Sequence, residues 1–270
     1  MRQWTLDSSP ARTSPGQALA GLIGRLGEKR FESSLLEQLQ PLVPAASCSI
    51  YRTGRNCAPR LFMSASYGVR DTTRDCWQAY LSGPYISDRT LVRDAADSHQ
   101  ALLCHITASE VPVEHRARVY EAHGVAERLS VVQQAAGALF AVNFYRHEHQ
   151  RPFNDAALGH FESMAPALLS LTQKHIALAD SMEEAGSALL YWRQQLHRRY
   201  TALTPRELDV CARLLLGMTQ EGIACDLQLS MPTVKTYRNR AFARLGIHFR
   251  NQLFALLHTP ASAGPEDGVG

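Results

Sequence analysis

A chain of 270 residues and 29.9 kDa is long enough for two domains of roughly 100–200 residues each. Its 45% hydrophobic and 20% charged residues make an ordinary globular composition, too apolar for a disordered chain, and a formal charge of +3 averaged over the whole length points to no partner. No apolar run reaches the ~18–20 residues of a membrane span, and the stretch Ala18–Leu26, interrupted by Arg25, lacks the three-part layout of a signal peptide; no membrane partner and a cytoplasmic location are expected.

In chain order, residues 15–43 read as two helices, the second striped by Phe31, Leu35, Leu36, Leu39 and Leu42. Two strands follow near Cys48–Arg52 and Leu61–Tyr67, punctuated by Gly54 and Gly68. A helix over Thr72–Leu81 carries Trp77 and Tyr80, a loop-rich middle spans 82–112, and another helix covers Glu114–Ala122. Arg128–Gln133 and Ala138–Tyr145 read as a hairpin in which Phe140, Val142 and Phe144 alternate onto one face. Asn154 caps a long helix carrying Leu158, Phe161, Ala165, Leu168, Thr172 and Ile176, close to a heptad stripe. These elements delimit a first domain over 15–180. A mostly helical connector over 181–202 follows, where Leu189, Leu190, Trp192, Leu196 and Tyr200 continue the apolar pattern and Gly186 is the strong breaker.

Residues 203–258 read as four short helices with clear punctuation. Thr204, Pro205 and Glu207 form a helix start with a capping box, and Leu208, Cys211, Ala212 and Leu215 then recur at helical spacing. After Gly217, Thr219 caps a second helix whose inner face is Ile223, Ala224 and Leu227. A tight turn at Gln228 and Leu229 leads to Ser230, which caps a third helix with the inward stripe Val234, Tyr237, Ala241 and Leu245, closed by Gly246. A fourth helix near Arg250–His258 carries Leu253, Phe254, Leu256 and Leu257. The tail, 259–270, is rich in Pro, Gly and Ala and is expected to be disordered.

Charge follows the same division. Residues 1–197 hold 19 basic and 19 acidic side chains, residues 198–258 hold nine and four, and the tail adds Glu266 and Asp267. The small average thus conceals a module of net +5 beside a neutral body, which suggests a polyanionic partner.

Two short helices joined by a tight turn, the second rich in Lys, Arg, Thr and Asn, make a helix-turn-helix. The runs L-T-P-R-E (203–207), G-M-T (217–219), I-A-x-x-L (223–227), S-x-x-T-V-K-T-Y (230–237) and R-L-G-I (244–247) resemble the LuxR/NarL-type helix-turn-helix over about sixty residues. Departures from that pattern are Gly222 where an acidic residue is usual, Tyr237 for His and Arg240 for Asn; they leave the fold intact but bear on contacts and target sequence. With Val234, Tyr237 and Ala241 inward, Lys235, Thr236 and Asn239 share the opposite face, suited to base edges in the major groove. The resemblance implies the same three positions. Thr219, Ser230, Thr233 and Arg238 complete the expected DNA contacts, with Ser230, Thr233 and Arg238 suited to phosphates.

The order of elements before residue 180 resembles GAF/PAS-like sensory domains, which implies an antiparallel sheet with helices around it and a pocket between the sheet and the middle loops. The expected fold class is therefore an α+β N-terminal domain followed by a small all-α four-helix domain. Trp77, Tyr80, Tyr85 and Asp88 are candidate ligand contacts, because aromatics with one carboxylate suit a small ligand with a polar head. Trp77, Tyr80 and Asp88 depart in spacing from the W-x-x-x-Y and Asp-Pro pattern of acyl-homoserine-lactone receptors, so that pattern does not assign a quorum signal. Neither a phosphoryl-accepting acidic cluster nor a Walker loop is present. The six cysteines show no C-x-x-C spacing and read as buried free thiols. His147 and His149 read as an exposed loop pair rather than a metal site, and no H-E-x-x-H or G-x-S-x-G motif supports catalysis; neither a cofactor nor an enzymatic activity is implied.

The sequence thus reads as a bacterial, non-enzymatic transcription regulator. Its partners are expected to be promoter or operator double-stranded DNA, a second copy in a homodimer, a small-molecule effector and RNA polymerase. The other reading is a constitutive DNA-binding regulator whose N-terminal domain serves only dimerisation or protein interaction.

Overall fold

Strand alternation decides the architecture of the first half of the chain. The computed structural model describes residues 13–54, 57–88, 90, 91, 100–135 and 137–258; the tail at 259–270 lies outside the described residues. The chain divides into two units, Met1–Ala179 and Asp180–Gly270. Among the described residues of the first unit, β1 (Ser47–Gly54), β2 (Arg60–Ser66), β3 (Leu102–Thr107), β4 (Val125–Ala135) and β5 (Ala138–His147) form one sheet, every adjacent pair antiparallel, in the order β2-β1-β5-β4-β3. This is the antiparallel sheet with flanking helices that the GAF/PAS resemblance implies.

Successive side chains of a strand point to opposite faces, so each central strand sorts its residues in two. Cys48 and Ile50 of β1, Leu129 and Val131 of β4, and Val142 and Phe144 of β5 face an apolar core. That core is closed by α1 (Pro15–Ile23), α2 (Phe31–Leu39) and the first part of the long helix α6 (Asp155–Arg199), through Leu22, Phe31, Leu35, Phe161, Met164 and Leu168. Each such side chain contributes roughly 1.5–3 kcal/mol on full burial. The opposite face carries Ser47, Ser49, Tyr51, Arg128, Ser130, Asn143 and Tyr145, covered by α3 (Thr73–Leu81) and a helical stretch over residues 113–123.

Local chemistry explains most element ends. Ser14 and Gln17 form a capping box at α1, and Asn154 accepts a hydrogen bond from Ala157 N at 2.9 Å ahead of α6. The helix α6 continues to Arg199 through Gly186, the breaker singled out in the sequence.

Two sequence expectations need correction. The loop-rich middle at 82–112 holds a short helix, α4 (Pro84–Ser87), and the edge strand β3. In this edge strand Leu102, Cys104 and Ile106 turn inward while Leu103 and His105 are exposed, and the apolar Leu103 on the outward face hides the alternation from the sequence. The helix expected over Glu114–Ala122 is segmented into α5 (Val113–His115), a π turn (Arg116–Tyr120) and a 3-10 turn (Glu121–His123), ending at Gly124 with φ +66°.

The second unit, described by itself, packs α7 (Pro205–Leu215), α8 (Gln220–Leu227), α9 (Met231–Leu245) and α10 (Arg250–His258) around Leu208, Cys211, Ile223, Val234, Ala241 and Leu253. Leu196, from the last turns of α6, is fully buried in the same core. The four-helix domain is as expected.

His175 on α6 stacks on Phe31 with ring centroids 4.1 Å apart, and its Nδ1 accepts a hydrogen bond from Gly27 N at 3.1 Å. Burial lowers its pKa from the usual value near 6.5, and protonation removes the acceptor. Because the unfolded chain takes up the proton first, stability is flat above pH 7 and falls as pH drops through about 6.5 and below. Unfolding temperatures measured between pH 8 and 5 should show this decline, and His175→Gln, which retains an acceptor but does not titrate, should make it shallower.

Candidate functional site

The second unit presents its chemistry on α9. Ser230 caps that helix, accepting from Thr233 N at 3.3 Å, and its hydroxyl lies 2.7 Å from Thr233 Oγ1. Val234, Ala241 and Phe242 are buried, which leaves Lys235, Thr236, Asn239 and Arg240 exposed. The Thr236 hydroxyl donates to Pro232 O at 2.9 Å, so its methyl is the part left to meet a base edge. Arg238 donates to Asn239 Oδ1 from Nε at 3.2 Å and from Nη2 at 2.8 Å, an exposed pair of neighbours that sequence spacing does not reveal. Before α8, Thr219 is an exposed N-cap accepting from Gly222 N at 3.1 Å.

The two helices meet at Gln228, whose φ of +54° makes it the one left-handed non-glycine among the described residues. That conformation costs roughly 1–2 kcal/mol in a non-glycine residue and is held by the packing of both helices. At Gly222, where the related pattern has an acidic residue, an added Cβ meets Thr219 Oγ1 at 3.4 Å, so a side chain fits with little adjustment.

Many arginines of the basic module work inside it. Arg244 pairs with the buried Glu207 and donates to Ala202 O at 3.0 Å. Arg213 pairs with Asp226 at 2.5 Å, and Arg250 reaches Leu214 O from two nitrogens at 3.1 and 2.8 Å. Arg199 donates to Leu257 O at 2.8 Å. On α9, by contrast, Lys235 and Arg240 are exposed and have no carboxylate within ion-pair distance among the described residues. A short exposed helix with unpaired cations, a polar outer face and a capped N-terminus suits the major groove of duplex DNA.

Residues 201–257 match the family described as bacterial regulatory proteins, luxR family. This module is a LuxR-family helix-turn-helix domain. The chain is accordingly a DNA-binding transcription regulator, and the family of its LuxR-type module acts by binding DNA rather than by catalysis. None of the curated proteins matches the chain in sequence. Among solved structures, the LBD domain of VqsR from Pseudomonas aeruginosa is 16% identical, covering 60% of this chain and 96% of that one at a TM-score of 0.44. The N-acylhomoserine lactone dependent LuxR-family factor CepR2 from Burkholderia cenocepacia is 12% identical, covering 61% and 94%, at 0.41. A phycoerythrobilin-bound GAF domain from a cyanobacterial phytochrome is 9% identical, covering 61% and 97%, at 0.40. All three scores lie below 0.5, so the description of the N-terminal fold rests on the sheet itself.

Upstream of the LuxR-type module, the polar face of the sheet encloses a cavity of about 50 Å³ in the first unit. Of the four candidate ligand residues, Trp77 and Tyr80 line it and Tyr85 and Asp88 do not. Tyr85 packs edge-on against Tyr80 with centroids 6.3 Å apart. Asp88 accepts from Tyr80 OH at 3.0 Å, Thr90 N at 2.8 Å and Thr90 Oγ1 at 2.6 Å, a structural set of bonds that leaves neither oxygen free. Burial raises its pKa, but Arg128 and the Thr90 hydrogen bonds outweigh that and hold the carboxyl below the usual range.

The wall also holds residues the sequence did not single out: Tyr51, His115, Tyr120, Arg128 and Tyr145. Burial disfavours the Arg128 cation, yet the tyrosine oxygens and Asp88 around it keep it protonated. His115 lies with Nδ1 4.0 Å from Asp88 Oδ2, and burial lowers its pKa, favouring the neutral ring. Three buried atoms at this wall, Arg128 Nε, Tyr120 OH and His115 Nδ1, have no hydrogen-bond partner, at a cost of about 1–3 kcal/mol each. The available signal was Arg128 itself, a charge in β4 directly before the apolar Leu129 and in the alternate set that continues with Ser130 and Val132. Cys76 also lines the cavity, and burial pushes its thiol up to about 11, which removes it as a nucleophile near neutral pH.

The division of the basic residues has a measurable consequence. Arg250→Ala should lower the stability of the full-length protein by about 1 kcal/mol, since it removes two hydrogen bonds to a buried helix end. Lys235→Ala should leave stability within about 0.5 kcal/mol of the parent. Denaturant melts of both variants check this.

Proposed function

We propose that the protein binds promoter DNA as a cytoplasmic homodimer, laying α9 in the major groove of half-sites about one helical turn apart, and that its N-terminal domain responds to a small molecule. The observation that carries the DNA reading is the outer face of α9, where Lys235, Thr236 and Asn239 stand exposed together over a fully buried Val234 and Ala241. Lys matches guanine acceptors, Asn the paired donor and acceptor of adenine, and the Thr methyl that of thymine. Ser230, Thr233 and Thr219 sit at helix N-termini, where hydroxyls and backbone N–H groups meet phosphates, and Arg238 adds a cation beside them. To read adenine with both amide atoms, Asn239 exchanges its bond to Arg238, which frees the guanidinium for a phosphate.

Dimerisation is supported by apolar side chains left in water on α6, where Met182 is 64% exposed and Leu190 59%. Sensing is supported by the cavity with its unpartnered polar atoms, which a domain serving only as a dimerisation module has no reason to keep. Regulation then requires an effector with different affinities for two states of the protein, and RNA polymerase is the partner through which occupancy of a promoter is read out.

Duplexes recovered by in-vitro selection, titrated with the full-length protein at two salt concentrations, test the DNA reading. Asn239→Ala should lose about tenfold or more of the discrimination between selected and scrambled duplexes while keeping the salt slope. Arg238→Ala should weaken all duplexes alike and reduce the slope by about one. Equal behaviour of the two variants would sink the assignment. Sedimentation of the free protein tests the dimer, and a thermal-shift screen against neutral and charged metabolite-sized compounds, followed by duplex titration with each hit, tests sensing; no hit would leave the constitutive reading.

A further inference from the structure

The chemistry of the N-terminal cavity narrows what can occupy it. Arg128, 2% exposed, and Tyr120, 1% exposed, both line it, and Arg128 Nε and the Tyr120 hydroxyl lack partners there. One Arg128 nitrogen, Nη2, donates to Thr90 Oγ1 at 2.5 Å, and that hydroxyl in turn donates to Asp88 Oδ1 at 2.6 Å. The guanidinium therefore meets its nearest acid only through an intervening hydroxyl, and among the described residues no carboxylate oxygen lies within 4.0 Å of it. Both Asp88 oxygens already accept hydrogen bonds, Oδ2 from Tyr80 and Oδ1 from Thr90.

A buried cation with an unused N–H, next to an unused O–H, is the complement of an oxygen anion. One wall is aromatic: Trp77 lies 5.1 Å from Tyr51 and 5.8 Å from Tyr80 between ring centroids, so the three rings offer a surface for a flat apolar body. The volume, about 50 Å³, favours a body no larger than a single ring.

We propose that this cavity binds a small carboxylate with a flat apolar body, its oxygens taken by Arg128 Nε and the Tyr120 hydroxyl and its body laid against Tyr51 and Trp77. The proposal rests on the sensory reading of the domain and gives that reading a ligand class.

The test uses the full-length protein with benzoate and phenylacetate as probes, each paired with its neutral amide, benzamide or phenylacetamide, followed by calorimetry, tryptophan fluorescence and thermal shift. The acids should bind at least tenfold tighter than their amides. Tyr120→Phe should weaken the acids severalfold while leaving the unfolding temperature unchanged or higher, since it removes only an unpartnered hydroxyl. Arg128→Lys, which keeps the charge but loses Nε, should weaken them further, and thermal unfolding shows whether that variant remains folded. Amides binding as tightly as acids would overturn the proposal, as would an unaltered acid affinity in Tyr120→Phe. Failure of both acids to bind would overturn it too and leave a water-filled cavity only. The sensory reading fails separately: a neutral compound that stabilises the protein and alters duplex affinity keeps that reading while the carboxylate is rejected, whereas no response to any compound rejects both.

Discussion

The first unit depends on the two-residue period of three adjacent strands. Near the middle of β1, β5 and β4 one set of alternate residues is apolar and the other carries the polar groups, and the antiparallel register brings like with like: Ile50, Val142 and Val131 in one row, Ser49, Asn143 and Ser130 in another. A slip of one residue would put Phe144 and Val142 on the polar face and Arg128 in the apolar core, so the pattern fixes register as well as orientation. The helices follow from this choice. The apolar face demands the broad cover of α1, α2 and α6, while the polar face takes the shorter α3 and the segmented helical stretch and keeps space beneath them.

The second unit is built on different terms, by local signals that need little long-range information. Thr204, Thr219 and Ser230 each accept a backbone N–H at a helix start, and Gly246 turns the chain out of α9 in a left-handed conformation. The capping-box carboxylate of Glu207 serves twice, accepting from Thr204 N at 2.8 Å and pairing with Arg244 from α9, which ties the first helix of the module to the recognition helix. Such internal use of arginine changes the meaning of the +5 charge. Arg199, Arg213, Arg244 and Arg250 hold the fold, and three of the other cations, Lys235, Arg238 and Arg240, gather on α9.

What the sequence made legible follows this contrast. The caps, the inward stripe of α9 and the outward trio of Lys235, Thr236 and Asn239 are set by neighbours within four residues, and spacing alone placed them. The central strands were visible because they alternate; β3 was not, because its exposed face carries the apolar Leu103, so its sequence lacks the alternation that its burial shows. The cavity was the hardest to read. Trp77 and Tyr80 were singled out as aromatics accompanying a carboxylate, but His115, Tyr120 and Arg128 come from three other elements and converge only in the folded chain. Asp88 shows the converse. A carboxylate among aromatics suggested a ligand contact, yet in the fold it accepts three hydrogen bonds that anchor Tyr80 and the turn at Thr90.

Two neighbouring rows on the same face of the sheet separate structural polarity from the cavity's. In the row of Ser49, Asn143 and Ser130, Ser130 Oγ donates to Asn143 Oδ1 at 2.8 Å and Asn143 Nδ2 donates to Ser49 O at 3.1 Å, a fully buried chain. In the row of Ser47, Tyr145 and Arg128, the Tyr145 hydroxyl leaves its row to bond Ser49 at 2.9 Å, and Arg128 Nε bonds nothing. The same strands, in the same register, with the same cover, thus satisfy one row and leave the next open. Lack of space or of partners across the sheet does not account for the difference, since the adjacent row shows that both can be supplied. Arg128 lines the cavity with that unpaired nitrogen, and an unpaired buried guanidinium nitrogen is costly enough that its persistence there points outward from the fold, toward a group the cavity receives.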